Sequence, residues 1–158
     1  LGKKIDMIID DGNSVNGIES TVVSVQGNKV YLLRPGAIPN EEIESLLNKR
    51  LIIFKTEKNI SPGMQKSHYA AAKPLRLNAK RVSNNEALLA FGKKVPTGAY
   101  KTLNLSEHGN LNEAARNLFL MLHRLEKLRV KKIAVSTIPD KGLGKAINDR
   151  LKRASNLK

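Results

Sequence analysis

An α/β fold is what this sequence predicts, and three observations predict it. From residue 75 onward, short β-rich segments and segments of helical periodicity succeed one another, the pattern of an α/β layer with a partly parallel sheet. One of those segments, Glu86 to Phe91, reads as a strand too apolar to face water. Hydrophobic residues make up 41% of the chain but aromatics only 4%, so its core must be built from Leu, Ile, Val and Ala.

Each element follows from its residues. Lys4 to Ile9 is expected to be a buried strand, ended by the turn composition Asp10-Asp11-Gly12-Asn13. Ser20–Val25 and Lys29–Leu33 are β-rich and flank Gly27-Asn28, which predicts a hairpin. Asn40 is placed to cap a short helix with Glu41, Glu42 and Glu44 in its first turn and an apolar stripe of Ile43, Leu46 and Leu47. Leu51–Phe54 reads as a short buried strand. Thr56 to Lys73 has no periodicity and contains Ser61-Pro62-Gly63, the composition of a linker. Beyond it, Leu75–Leu77, Glu86–Phe91 and Lys101–Leu105 read as strands. Asn110 with Glu113 three residues on has the form of a capping box. Leu111, Ala114, Ala115, Leu118, Leu122 and Leu125 then recur at the spacing of one helix face. Ile133–Ser136 is a further strand, and Leu143, Ile147 and Leu151 mark a last helix.

Composition narrows the function. The 158 residues suffice for one ordinary domain or two small ones. Cys is absent, which removes disulfides, thiolate metal sites and a Cys nucleophile and fits a cytoplasmic setting. The apolar runs are too short to span a bilayer, so no membrane partner is expected, and no signal peptide is visible. Because the chain opens at Leu1 with strand-like material, an upstream segment is expected. The 28 Lys and Arg residues against 14 Asp and Glu leave a charge of +14, which attracts RNA, DNA and nucleotides. The basic residues form no block and are not interleaved with aromatics, so a dedicated stacking platform for nucleic acid is not indicated.

Four motifs carry chemistry. Gly17-Ile18-Glu19-Ser20-Thr21-Val22-Val23 starts a strand with two hydroxyls that can meet a polar ligand, although strands favour Thr and Val in any case. In Leu32-Leu33-Arg34-Pro35-Gly36 an Arg before a rigid turn can grip a phosphate with both arms of its guanidinium. Ser61-Pro62-Gly63-Met64, followed by His68-Tyr69, can reach over a site from the linker. Gly142-Leu143-Gly144-Lys145-Ala146-Ile147-Asn148-Asp149-Arg150-Leu151 enters a helix through glycines but lacks a phosphate-loop pattern, and Asp149 and Arg150 read as surface charges or a local ion pair. His68, His108 and His123 lack ligand spacing, so no metal site, catalytic triad or other catalytic residue is assigned.

In order and spacing these four motifs, with Leu88-Leu89-Ala90-Phe91-Gly92 and Leu103-Asn104-Leu105-Ser106, resemble the second half of the long-form threonylcarbamoyl-adenylate synthases, a YrdC-like family of tRNA-modification enzymes. The resemblance covers nearly the whole chain and implies three parts. Residues 1–55 would be the C-terminal part of a YrdC-like twisted α/β sheet, 56–74 a linker, and 75–158 a small Rossmann-like domain. It implies condensation of L-threonine, bicarbonate and ATP, the last with Mg2+, into threonylcarbamoyl-adenylate and pyrophosphate, with no bound organic cofactor. A partner complex would then transfer the threonylcarbamoyl group to an adenosine beside a tRNA anticodon. By the same resemblance Ser20 lies in the threonine pocket, Arg34 in the ATP pocket, and Tyr69 closes over the nucleotide. The family's N-terminal half, with further ATP and threonine contacts, is not in this sequence, so the chain is expected to be inactive alone. Ser24 stands where the family commonly has Asp, Ala71 where it commonly has Pro, and Gln65-Lys66-Ser67 where Lys-Tyr-Arg is common, which weakens the linker's match to nucleotide binding. The competing reading is a non-enzymatic basic module that contacts tRNA, other RNA or a partner protein through its C-terminal domain.

Overall fold

The computed structural model describes residues 5–10, 12, 14, 16–54 and 71–155. Two sheets organise them. In the first, β1 (Val22–Gln26) and β2 (Lys29–Arg34) form the expected hairpin, pairing antiparallel from Gln26↔Lys29 to Val22↔Arg34. Helix α1 (Asn40–Leu47) then carries the chain to β3 (Ile52–Ile53), which lies parallel to β2. In the second sheet β4 (Leu75–Arg76), β5 (Glu86–Ala90), β6 (Lys101–Asn104) and β7 (Lys132–Val135) stand in the order β4-β7-β5-β6, and every pairing is parallel. Helix α2 (Leu111–Glu126) is the crossover from β6 to β7, and α3 (Leu143–Ser155) follows β7.

The reason for this topology is visible in β5. Ala87, Leu88, Leu89 and Ala90 are wholly buried, as a strand flanked by β6 and β7 and covered on both faces must be. Alternation divides them. Ala87 and Leu89 point to the main core, where Ala114, Ala115, Leu118, Leu122 and Leu125 of α2 meet Ala146, Ile147 and Leu151 of α3. Leu88 and Ala90 point to the opposite face, covered by loop residues Ala79, Val82, Val95 and Ala99 rather than by a helix. At the N-terminus of α2, Asn110 accepts hydrogen bonds from the backbone N–H groups of Asn112 and Glu113. The box is completed differently from the expectation. Glu113 accepts from Ser106 Oγ, and that hydroxyl in turn accepts from the Asn110 N–H at 2.9 Å.

Several elements depart from the sequence reading in the first 54 residues. Ile5, Met7, Ile8 and Ile9 are exposed and lie in no strand, because among the described residues no neighbouring strand pairs with them. Pro39, not Asn40, holds the cap position of α1, and Asn40 is instead a buried first helical residue. Leu46 is 87% exposed and β3 faces solvent, so of the expected apolar stripe only Ile43 is half-buried, and the expected buried strand presents Ile52 and Ile53 outward. Val23, Val25 and Leu47 are exposed as well.

One buried charge anchors the parallel sheet. Glu86, at the head of β5, accepts two bonds from Arg76 Nη2 and one from Nε, at 2.9–3.0 Å, and further bonds from the Ser83 N–H and hydroxyl at 3.0 Å. Burial alone would raise its carboxyl; the Arg76 and Ser83 donors outweigh burial and hold it below the ordinary value of 4.5. A carboxyl lowered in the folded state stabilises the fold above its unfolded pKa, and that contribution disappears as pH falls through the lower, folded value. Urea midpoints measured downward from pH 7 should therefore fall below about pH 4.5 in the native chain. Glu86→Gln should be less stable at pH 7 and show a shallower acid dependence. Parallel acid profiles for both proteins would show that Glu86 is not the titrating group.

Candidate functional site

Two motifs that flank one hairpin and a third more than 100 residues further on meet at one place. The centre is the segment Glu19-Ser20-Thr21 where it enters β1. The turn after β2, Pro35 to Ile38, lies against it: Ala37 N–H donates to Glu19 O at 2.8 Å, Ile38 N–H donates to Thr21 Oγ1 at 3.1 Å, and that hydroxyl donates to Ile38 O at 2.6 Å. The approach is so close that Gly36 is required. A Cβ there would sit 2.3 Å from the Ser20 carbonyl carbon and the Thr21 nitrogen.

Ser20 and Arg34, singled out separately in the sequence, are in contact. Arg34 is 8% exposed at the end of β2. Its Nε and Nη2 donate to Ser20 O at 3.2 and 3.0 Å, and Nη2 lies 3.3 Å from Ser20 Oγ. Ser20 itself is exposed. The arrangement is an accessible hydroxyl held beside a buried cation, suited chemically to a ligand with a carboxylate or a phosphate. Tyr69, with His68 and Ser61-Pro62-Gly63-Met64, lies outside the described residues.

The third motif enters from α3 and corrects the sequence reading. Asp149 does pair locally, with Arg150 Nη1 at 2.6 Å and with Arg153 one turn on at 2.9 Å. Arg150, however, is no surface charge. Only 1% of its side chain is exposed. Its Nε donates to Glu19 Oε2 at 2.9 Å and its Nη2 to Pro35 O at 3.1 Å. Arg150 thus grips the residue before Ser20 and the residue after Arg34. Lys145, one turn earlier, pairs with Glu41 of α1 at 2.6 Å, and this hydrogen bond is the chief cause holding the Glu41 carboxyl below its ordinary range. Ile18 and Ala37 complete the junction by packing into the core formed by α2 and α3. A signal for Arg150 was present: it lies three residues after Ile147 and four before Ala154, on the apolar stripe that runs from Leu143 to Ala154.

Other groups do not join this cluster. His123 is exposed on α2, 3.5 Å from Glu126. Among the described residues no set of three or more His, Asp or Glu side chains could hold a metal ion, and no helix is long and apolar enough to cross a membrane.

The family model described as the C-terminal domain of threonylcarbamoyl-AMP synthase matches residues 38–156. The chain belongs to this family. It is 34% identical over 96% of its length to a threonylcarbamoyl-AMP synthase of Pyrococcus abyssi, and 31% identical over 98% to one of Bacillus subtilis. In both cases it spans about half the length of the relative, 50%. A crystal structure of the P. abyssi protein complexed with L-threonine superposes with a TM-score of 0.80 at 28% identity, covering 97% of this chain and 50% of the other. A variant of that protein with an adjacent His and Tyr replaced by Ala superposes at 0.70 with 25% identity, covering 98% of this chain and 48% of the other. The mixed α/β architecture with a parallel sheet is therefore that of a threonylcarbamoyl-AMP synthase over the half that this chain represents.

Proposed function

We propose that this chain is part of a threonylcarbamoyl-AMP synthase, which converts L-threonine, bicarbonate and MgATP into threonylcarbamoyl-AMP and pyrophosphate for tRNA modification, and that it is inactive alone. The observation that carries the reading is the contact between Ser20 and Arg34, in a chain whose fold matches a relative crystallised with L-threonine. In this reading Ser20 contacts threonine, Arg34 stabilises negative charge on ATP, and Tyr69 closes over the nucleotide from the linker. Catalysis is then positioning and electrostatic stabilisation, without a covalent enzyme intermediate. The product passes to a separate complex that carries out the transfer to tRNA. Residues 1–55 act as the end of the catalytic sheet and 75–158 as the Rossmann-like domain, joined by 56–74. The exposed apolar residues of β1, β3 and α1 fit a surface completed by the remaining half of the enzyme.

Pyrophosphate release tests this. The 158 residues alone should release none above background with threonine, bicarbonate and ATP, and activity should appear when the complementary half of the catalytic domain is added. Robust threonine-dependent release by the chain alone would overturn the proposed division. In the reconstituted enzyme Arg34→Ala should weaken ATP binding by about 1.5–3 kcal/mol, the value of a hydrogen bond to a charged group. Unchanged ATP affinity in a folded variant would leave Arg34 only the role of bracing Ser20.

A further inference from the structure

The parallel sheet has a basic cleft that the reading above does not use. β4, β5 and β7 run in the same direction, so the loops leaving their carboxyl ends meet along one edge. Between those loops lies a cleft of about 630 Å³. Lys80 comes from the loop after β4, Phe91, Lys93 and Lys94 from the loop after β5, and Ser136 and Thr137 from the loop after β7. The loops are tied to the sheet: Ala79 N–H donates to Val135 O at 2.8 Å and Ser136 N–H to Leu89 O at 2.9 Å. In open parallel sheets this edge is where ligands bind.

Charge and hydrogen bonding set the ligand class. No carboxylate lines the cleft. None of the three lysines takes part in an ion pair among the described residues, so their positive charge is not compensated locally. Ser136 is 7% exposed, and its Oγ is the buried side-chain oxygen that finds no partner among the described residues. Such groups are rare in folded proteins and call for a missing partner. The volume lies within the range of small-ligand pockets, and Phe91 supplies an apolar wall beside the cations.

We propose that this cleft binds the phosphate group of a small phosphate ester of mononucleotide size, with Lys80, Lys93 and Lys94 neutralising the phosphate and the Ser136–Thr137 turn bordering it. The site is separate from Ser20 and Arg34 and does not depend on the reaction proposed for them.

Amide chemical shifts of the full chain, titrated with AMP, adenosine and inorganic phosphate, test the proposal. AMP should produce saturable shifts centred on residues 79–80, 91–95 and 136–137. Inorganic phosphate should compete for the same residues, and adenosine should leave them unmoved. The double variant Lys93→Ala/Lys94→Ala, at exposed positions, should lose at least about tenfold in AMP affinity, as two charge-assisted contacts imply. Lys29→Ala/Lys127→Ala, which removes the same charge elsewhere, should bind as the native chain does. Equal losses in the two double variants would overturn the site in favour of diffuse attraction. Equal responses to AMP and adenosine would overturn the assignment to phosphate. Shifts in the cleft with a tRNA transcript, without saturation by AMP, would overturn the small ligand and make this face a contact for RNA.

Discussion

Arg150→Ala should destabilise this protein by about 3 kcal/mol, the lower end of the cost of removing one member of a buried ion pair. The side chain is buried in the junction between α3 and the segment before β1, and its loss leaves the Pro35 carbonyl without a donor and Glu19 without its cation. For a chain of this length that corresponds to a fall in Tm of roughly 6–12 °C. Glu19→Gln should cost under about 1 kcal/mol, because the Glu19 side chain is 35% exposed and the amide retains an oxygen acceptor. Thermal and urea unfolding of both variants checks this. An Arg150→Ala protein within about 0.5 kcal/mol of native would mean that α3 and the Glu19–Ala37 segment are held together without this residue.

Gly36→Ala should cost about 3 kcal/mol, the upper range for overpacking. The added methyl carbon would meet backbone of the facing segment before β1, at 2.3 Å from Ser20 and Thr21 and 2.4 Å from Glu19 O, and backbone cannot rotate away as a side chain can. Gly27→Ala is the matched comparison. Gly27 has φ +57° in the hairpin turn with open space around the new Cβ, so only the left-handed backbone is penalised, at about 1 kcal/mol. Urea midpoints should place Gly36→Ala clearly below Gly27→Ala. On the function proposed above, the reconstituted enzyme should also lose threonine affinity in Gly36→Ala, because Gly36 abuts the Ser20 segment, and keep it in Gly27→Ala. The reverse order of stability would show that the Pro35–Ile38 turn moves aside at little cost.

Much of the C-terminal architecture was legible in the residues. The Leu111–Leu125 periodicity became α2, with the five residues Ala114, Ala115, Leu118, Leu122 and Leu125 buried as expected, and Asn110 caps it. The apolar run after Glu86 became the central strand, and Gly27-Asn28 became the hairpin turn. The first 54 residues were harder to read. Ile5–Ile9 and the α1 stripe are as apolar as core segments, but apolarity states only that a surface would gain by being covered. Whether it is covered depends on which other elements stand beside it.

The same distinction separates what sequence and tertiary structure each decided at the candidate site. Sequence by itself determined the α/β class and the positions of the strong elements, because periodicity, capping and turn chemistry act over a few residues, and it singled out Ser20 and Arg34 as separate candidates. Tertiary structure alone decided that Arg34 is turned onto Ser20, that Glu86 is a buried carboxylate satisfied by Arg76 and Ser83, and that Arg150 is core rather than surface. A charged side chain can be buried only where its partners are already held in place. Besides its neighbour Asp149, Arg150 pairs with Glu19, 131 residues away along the chain, and only the packing of α3 against the Glu19–Ala37 segment brings these two together.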